Sequence, residues 1–183
     1  GSCANMKKIL VTGASGFIGG QLVPRMVAEG YQVRAVSRQP THFAGAECRI
    51  LPTRGNLVSW KDTMQGVEQV IHLAGMAHFR RHLLLGDGIS PRRKRLFAQE
   101  LSEANTVNTV SLAREARQAG IKRILYLSSI GAVASASDEA IKPETPPHPD
   151  TPYGQSKLAA ERELVSLLRG TDTEVAILRP PLV

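Results

Sequence analysis

The sequence predicts an α/β fold built on a doubly wound parallel sheet. Short apolar segments rich in β-branched residues recur along the chain, amphipathic segments at helical spacing lie between them, and glycines mark several junctions. This alternation is typical of a parallel sheet with helices on both faces. Because the crossovers are right-handed, the binding crevice is expected at the carboxyl ends of the strands.

The first strand, helix and second strand are the clearest part of the pattern. Lys8–Thr12 is a short apolar run, and Phe17–Glu29 follows it with apolar residues at helical spacing. Gly30 ends the predicted helix, and Gln32–Ser37 gives a second strand rich in β-branched residues. A glycine-rich turn therefore lies directly after the first strand.

The same alternation continues through the later chain. Further strands are predicted at Cys48–Leu51, Gln69–Leu73, Arg123–Ser128 and Glu174–Leu178, and further helices near Ser59–Gln65, Leu101–Gln118 and Tyr153–Arg169. Two segments interrupt the alternation and are predicted to be loops: Phe79–Arg95, with its basic clusters, and Ser135–Thr151, which is rich in proline.

Length and composition fit one domain with a real core. The 183 residues are 42% hydrophobic and 21% charged. No run approaches the roughly 18 apolar residues of a membrane span, and no basic segment precedes an apolar stretch at the N-terminus, so we expect a cytoplasmic protein without a membrane partner. Residues 1–5 resemble an expression remnant, and residues 6–183 are the expected domain. Two cysteines offer neither a disulfide framework nor zinc spacing, and no metal is expected.

The net charge of +7 raises nucleic acid as an alternative partner. Six of the 23 basic residues, however, lie between Arg80 and Arg95, so the excess is local. Four Phe, three Tyr and one Trp leave no aromatic interleaving of the kind that stacks bases. The sequence therefore predicts no nucleic-acid partner.

The glycine turn is the strongest binding motif. Gly13-Ala-Ser-Gly16-Phe-Ile-Gly19 opens the first helix, where free amides and the helix dipole favour a pyrophosphate. Its spacing differs from the usual Gly-x-Gly-x-x-Gly, and glycines that merely allow tight packing are the alternative. Its place between strand and helix predicts a Rossmann-type dinucleotide-binding domain, with contacts from Gly13, Ser15, Gly16, Phe17, Ile18 and Gly19.

The end of the second strand bears on the choice of cofactor. An acidic residue there normally receives the adenosine ribose of NAD, but this chain has Ser37 and Arg38. A cation favours the extra phosphate of NADP, with NAD as the alternative. An ordinary exposed arginine would explain Arg38 equally simply.

A tyrosine and a lysine four residues apart indicate acid/base chemistry. Tyr153 and Lys157 share one face of a predicted helix that Asp150-Thr151-Pro152 introduces. A nearby ammonium is expected to lower the tyrosine pKa from about 10. Ser128 and Ser129 end the fifth strand, where a hydroxyl can hydrogen-bond a substrate oxygen. A surface pair and strand-capping serines are the alternatives.

Together these motifs resemble the short-chain dehydrogenase/reductase superfamily, in particular its extended branch of NAD(P)-dependent nucleotide-sugar epimerases, dehydratases and reductases. The resemblance covers Met6–Val183 and includes UDP-glucose 4-epimerase-like proteins. It is carried by Val11-Thr-Gly-Ala-Ser-Gly-Phe-Ile-Gly19, Val70-Ile-His-Leu-Ala-Gly75, Tyr126-Leu-Ser-Ser-Ile130, Tyr153-Gly-Gln-Ser-Lys157 and Leu178-Arg-Pro-Pro-Leu-Val183.

The resemblance implies roles for individual residues. Tyr153 would be the general acid/base, Lys157 would hold the nicotinamide ribose, and Ser129, with Ser128 in reserve, would orient the reacting hydroxyl. Further cofactor contacts would come from Asn56 and Leu57, where the family has Gly-Asp-Leu, from the backbone of Leu73, Ala74 and Gly75, and from Asn105. No proton transfer is assigned to His72.

The resemblance also implies a reaction. We expect hydride transfer at a hydroxyl or keto carbon of a nucleotide sugar. A reductase of a keto sugar or another small carbonyl compound is one alternative, and a non-catalytic dinucleotide sensor is another. The family continues beyond the Arg-Pro-Pro motif into a substrate-binding portion that this chain is expected to lack, so the chain alone is expected to bind cofactor but to turn over poorly. Leu101–Gln118 and Tyr153–Arg169 are the helices through which a homodimer would form.

Overall fold

The computed structural model describes residues 7–75, 90–137 and 139–181. Within them, parallel strands form a six-stranded sheet in the order β3-β2-β1-β6-β7-β8. These strands are β1 (Lys8–Thr12), β2 (Gln32–Ser37), β3 (Glu47–Ile50), β6 (Val67–His72), β7 (Arg123–Leu127) and β8 (Glu174–Leu178), and a small antiparallel hairpin adds β4 (Thr53–Arg54) and β5 (Leu57–Val58). The predicted Rossmann-type fold is confirmed, and the strand order reverses between β1 and β6.

Four helices flank the sheet in the described ranges: α1 (Phe17–Ala28), α2 (Pro91–Leu101), α3 (Asn108–Gln118) and α4 (Pro152–Leu168). A π-helical turn, Ser102–Val107, joins α2 to α3 without a break. The sequence predicts a helix over Leu101–Gln118, but the continuous helical segment starts ten residues earlier, at Pro91. The loop predicted for Pro91–Arg95 is therefore wrong. The Ser90 side chain caps α2 by accepting the Arg93 amide, and Pro91 occupies the first turn. The rest of the predicted loop, up to residue 89, lies outside the described residues.

The helix predicted near Ser59–Gln65 is also wrong. This segment forms turns, with Asp62 at a φ of 64°. Its apolar residues Trp60 and Met64 are four apart, as on a helix face, yet both reach the core from the turn conformation. The predicted loop Ser135–Thr151 is confirmed for its described residues, which carry neither helix nor strand.

Two apolar layers cover the two faces of the sheet. One contains Leu10, Leu112, Ile124 and Leu164, and the other contains Ile9, Val11, Val23 and Val33. Neighbouring residues of β1 thus point into opposite layers, which explains why the strand reads as a continuous apolar run. No helix in the described ranges is long and apolar enough to cross a membrane.

Candidate active site

Two adjoining clefts lie at the carboxyl ends of the strands. The first, here called the Arg38 cleft, is lined by Gly13, Ser15, Gly16, Ser37, Arg38, Leu51, Asn56, Val58, Trp60, Leu73, Ala74, Gly75, Ala104 and Asn108. The second, the Tyr153 cleft, is lined by Gly13, Gly16, Phe17, Ile18, Gly19, Leu73, Gly75, Leu127, Ser128, Ser129, Tyr153, Lys157, Pro180 and Pro181. The glycine turn belongs to both clefts, so they form one trough across the strand ends.

Glycine occupies the three positions of the turn for different structural reasons. Gly13 has a φ of +67°, and a Cβ there would lie 2.7 Å from the Ala74 amide nitrogen. A Cβ on Gly19 would lie 2.5 Å from the Gly13 carbonyl oxygen, so both positions require glycine for packing. Gly16, at a φ of −76°, is the N-cap of α1 and makes no side-chain cap bond. A Cβ on Gly16 would lie 3.2 Å from the Gly13 carbonyl oxygen, so packing requires glycine less strictly here than at Gly13 and Gly19, and the helix N-terminus is left open.

The end of β2 is basic rather than acidic. The buried Ser37 hydroxyl donates to the Gln39 carbonyl oxygen, at 2.5 Å. The exposed Arg38 side chain donates from Nη2 to the Gly55 carbonyl oxygen, at 3.0 Å. Among the described residues that line the Arg38 cleft, none carries a carboxylate. Asn56 lines this cleft, whereas Leu57 lines a separate surface pocket with Pro52.

Asn108 fixes the hairpin at the far side of the Arg38 cleft. Its side-chain amide donates to the Asn56 carbonyl oxygen at 2.7 Å, and its Oδ1 accepts the Val58 amide at 2.9 Å. Its carbonyl oxygen accepts from Trp60 Nε1 at 2.9 Å. Asn108 was not predicted from the sequence, because its hydrogen-bond partners lie about fifty positions away and no local motif indicates them.

His72 joins β1 to the π-helical turn through a chain of hydrogen bonds. The Thr12 hydroxyl accepts the Ala74 amide at 3.1 Å and lies 2.6 Å from His72 Nδ1. On the other side, Nε2 lies 2.9 Å from the Thr109 hydroxyl, which donates to the Asn105 carbonyl oxygen. The pattern is satisfied when Nε2 carries the single proton and Nδ1 accepts from Thr12. A neutral imidazole therefore connects Ala74 to Asn105.

Because of this histidine, the free energy of unfolding should decrease as the pH is lowered below about 6.5. Burial, and secondarily the Lys157 charge, lowers the pKa of His72 from 6.5 to about 3. Below pH 6.5 the His72 side chain is protonated in the unfolded chain but stays neutral in the folded chain. The free energy of unfolding should thus be intact above this pH and fall by up to about 1.4 kcal/mol per pH unit below it.

Urea unfolding between neutrality and about pH 5 measures this slope, since few carboxylates titrate in that range. His72→Gln should flatten it, whereas the exposed His148→Gln should leave it unchanged. A slope that persists in the His72 variant would assign the acid sensitivity to other groups.

The start of α4 brings Tyr153 to the end of β7. Thr151 caps the helix by accepting the Gly154 amide at 3.0 Å, and Pro152 follows as the first helical residue. A Cβ on Gly154 would lie 2.1 Å from the Gly131 carbonyl oxygen, so glycine is needed for this close approach. The approach sets Tyr153 beside Ser129, whose hydroxyl accepts the Gly131 amide at 3.1 Å.

The two serines at the end of β7 have different partners. The Ser128 hydroxyl donates to Glu161 Oε1 at 2.5 Å and is buried. The Ser129 hydroxyl hydrogen-bonds with Tyr153. This geometry favours Ser129 over Ser128 as the serine that acts with the tyrosine.

Lys157 and Asn105 converge beneath Gly75. The Lys157 ammonium donates to the Leu127 carbonyl oxygen at 3.2 Å and lies 5.1 Å from the centre of the Tyr126 ring. A Cβ on Gly75 would lie 2.7 Å from Asn105 Oδ1 and 3.1 Å from Lys157 Nζ. Gly75 thus leaves room above an amide and an ammonium at the boundary of the two clefts.

The protonation states differ from the sequence expectation. Burial raises the pKa of Tyr153, and its hydrogen bond with Ser129 only partly opposes this. Burial lowers the pKa of Lys157 to about 8, opposed by the charge of Glu161. The expected lowering of the tyrosine pKa by Lys157 is not seen in the cofactor-free chain. Tyr153 is therefore a neutral phenol that can donate a proton.

Most expected site residues lie together in this trough. Leu57 lies outside it, and Asn105 is fully buried at its floor rather than in its lining. Sequence reasoning missed Thr12, Asn108, Glu161 and the prolines of the Arg-Pro-Pro motif as parts of the site. In the described part of the chain, no three His, Cys, Asp or Glu side chains are grouped to hold a metal ion.

The chain is similar in sequence and fold to known proteins. The chain is 32% identical to sterol demethylase protein B of Methylococcus capsulatus, over 95% of this chain and 51% of that protein. It is 31% identical to a UDP-glucose 4-epimerase of Vibrio cholerae, over 97% of this chain and 52% of that protein. The solved structure of MoeE5 in complex with UDP-glucose and NAD has a TM-score of 0.75 and 30% identity, over 94% of this chain and 53% of that chain.

The chain thus spans about half the length of the curated relatives it matches. The model of the NAD dependent epimerase/dehydratase family matches residues 9–183, which include both the glycine turn and the Tyr153 cleft. The chain belongs to the NAD dependent epimerase/dehydratase family.

Proposed function

We propose that the chain binds a nicotinamide dinucleotide along the trough and acts on a hydroxyl or keto carbon of a nucleotide sugar by hydride transfer. The observation that carries the proposal is that Ser129, Tyr153 and Lys157 line the same cleft as the glycine turn. Family membership supports a dinucleotide-dependent enzyme. The similarity to a structure that holds UDP-glucose and NAD supports the substrate class.

The trough fits the parts of such a cofactor. The open N-terminus of α1 at Gly16 suits the pyrophosphate, since helix amides and the helix dipole favour an anion. Lys157, which lines the Tyr153 cleft, would hold the nicotinamide ribose, with the buried Asn105 beside it beneath Gly75. Ser37 and Arg38 would meet the adenosine ribose at the other end of the trough.

The proton chemistry would belong to the side chains of the Tyr153 cleft. A bound nicotinamide supplies the hydride acceptor or donor. In oxidation Tyr153, as the phenolate, would take the substrate hydroxyl proton as the hydride leaves the carbon, and in reduction the neutral phenol would protonate the carbonyl oxygen. Ser129 would hold the same oxygen, and Lys157 would stabilise the phenolate. An epimerase would use both directions in one cycle.

A reductase of a keto sugar or another small carbonyl compound is the second candidate. The observation that favours it is the raised pKa of Tyr153, because a neutral phenol is ready to protonate a carbonyl oxygen. The similarity to sterol demethylase protein B supports an apolar substrate for such a reductase. A dinucleotide sensor without catalysis would keep cofactor binding and show no turnover.

We further propose that NADP is preferred over NAD. The Arg38 cleft offers a guanidinium and lacks a carboxylate among its described lining residues, which suits a phosphate on the adenosine ribose. A cytoplasmic location is a proposal as well, and so is a homodimer through Leu101–Gln118, which covers the π-helical turn and α3, and through Tyr153–Arg169, which covers most of α4. Exposed apolar side chains at Val107 and Val165 support the homodimer.

Calorimetric titration with NADPH and NADH tests the cofactor and its type. The chain should bind NADPH more tightly, and Arg38→Ala should weaken NADPH by about tenfold because a charge-assisted hydrogen bond is lost, with NADH unchanged. The matched control is Arg54→Ala, since Arg54 lines a different pocket. Equal weakening of both cofactors, or tighter NADH binding by the unaltered chain, would contradict the preference for NADP. No binding of either cofactor to the folded chain would contradict the proposed function.

A further inference from the structure

An ion pair between a buried carboxylate and a partly exposed guanidinium lies beside the proton-transfer residues without belonging to them. Glu161 is on α4, one helical turn after Lys157, and its side chain is 4% exposed. Arg179, which follows β8, binds this carboxylate with two nitrogens: Nε lies 3.0 Å from Oε1 and Nη2 lies 2.5 Å from Oε2. Such a two-pronged pair has a fixed geometry.

The same carboxylate reaches the strand end that carries Ser129. The Ser128 hydroxyl donates to Glu161 at 2.5 Å. The Ile130 amide, on the other side of Ser129, donates to the Pro180 carbonyl oxygen at 2.9 Å. Glu161 therefore joins α4, the end of β7 and the segment after β8, and Pro180 forms part of the wall of the Tyr153 cleft.

A contribution to stability does not by itself explain why a charged pair occupies this position. Removing a carboxylate and a guanidinium from water carries a desolvation cost that their attraction often fails to exceed, and an apolar pair of similar volume can be as stable. A buried charge does, however, set the electrostatics of the groups around it. The group next to Glu161 along the face of α4 is Lys157.

Among the described titratable groups around Lys157, Glu161 differs from the others in its charge. The titratable groups that face it are Tyr153 and Glu161 on α4, Tyr126 on β7 and His72 on β6, with Arg179 behind Glu161. Burial raises the pKa of both tyrosines and lowers that of His72. Of these described groups, Glu161 thus supplies the negative charge at neutral pH.

We infer that Glu161 is a positioning residue for the proposed hydride-transfer site: its carboxylate, oriented by Arg179, keeps the Lys157 ammonium charged and holds the Ser128–Ser129 strand end against Tyr153. This inference rests on the proposed function for its catalytic meaning. Its electrostatic part concerns the cofactor-free chain. Burial lowers the pKa of the Lys157 ammonium to about 8, and the charge of Glu161 opposes this lowering.

The test is an NMR titration of the Lys157 Cε signal in the cofactor-free chain, assigned with a Lys157→Arg variant. Glu161→Gln keeps the shape of the side chain and removes its charge, and it should lower the Lys157 pKa by about one unit. Arg179→Met removes the compensating cation and should raise it. The exposed Glu163→Gln is the matched control on the same helix and should leave it unchanged.

The opposite signs separate electrostatics from loss of structure. If both Glu161→Gln and Arg179→Met lower the pKa of Lys157, or if neither changes it in a folded chain, the inference is overturned. Should one variant not fold, the direction of the shift in the other decides. NADPH titration of the unaltered chain is a separate measurement, so failure of the proposed function is distinguishable from failure of the role of Glu161.

Discussion

Gly16→Asp is expected to weaken NADPH binding by at least about a hundredfold while the chain stays folded. Gly16 caps α1 at a φ of −76°, which any residue adopts, and aspartate is a favoured N-cap. Its Cβ would lie 3.2 Å from the Gly13 carbonyl oxygen, a contact that needs only a small shift. The carboxylate would occupy the proposed pyrophosphate site, and repulsion between like charges at about 4 Å amounts to several kcal/mol near a protein surface.

Gly16→Asn is the matched control, because it adds a side chain of the same shape without the charge. Calorimetry should find a smaller loss of affinity for this variant, and thermal unfolding should find both variants as stable as the unaltered chain. Equal losses in the two variants would indicate steric exclusion alone. Unchanged NADPH binding by the aspartate variant would remove the pyrophosphate from the glycine turn.

Tyr153→Phe is expected to lower turnover by about a thousandfold and to leave the affinity for NADPH within a few-fold. The ring and its packing against Gly131 remain, but the only atom lost is the hydroxyl that would move the proton. Positioned proton transfer contributes typically about 10²–10⁴-fold to a rate. The measurement is the conversion of UDP-glucose, followed by chromatography of the sugar nucleotides, together with the absorbance of NADPH or NADH, because an epimerase would recycle its cofactor and a one-way oxidoreductase would change it.

Tyr31→Phe is the control, since Tyr31 is exposed and lies outside both clefts. If the Tyr153 variant retained more than about a tenth of the rate, the proton would have another path. Cofactor binding without turnover of UDP-glucose or a keto sugar would favour the sensor, a reductase of apolar compounds, or a need for the substrate-binding portion of the family. The two losses, of binding at Gly16 and of chemistry at Tyr153, are expected to be independent.

The six strands of the parallel sheet could be predicted because each carries its own signal, whereas the two-residue strands β4 and β5 were not predicted. β1 and β2 are buried on both faces and read as apolar, β-branched runs, so their bounds agree with the structure. The segment around Trp60 and Met64 shows the limit of this reasoning. Its apolar spacing fits a helix, but burial of both side chains is reached through turns that only the rest of the fold can impose. The helix at Pro91 had a readable start in Ser90-Pro91, which the basic residues after it obscured.

Some residues of the candidate site could likewise be predicted from local sequence patterns, and others could not. The glycine turn and the Tyr153–Lys157 pair follow local patterns, and the sequence could therefore indicate them. The contacts of Asn108 and Glu161 join segments far apart in the chain, and a polar residue gives no sign in sequence that it will be buried. The raised pKa of Tyr153 likewise depends on burial, which no spacing reveals.

The π-helical turn Ser102–Val107 sets the rotational phase of the long helix that contains it. The amide of Asn108 bonds to the carbonyl oxygen of Glu103, five residues back instead of four. Each residue advances an α-helix by about 100° around its axis, so one additional residue turns everything after it by that angle relative to α2. Without it, Asn108 and Thr109 would be turned away from Asn56 and His72, which they now contact. One additional residue in a helical turn thus gives this helix its angular register with the strand ends.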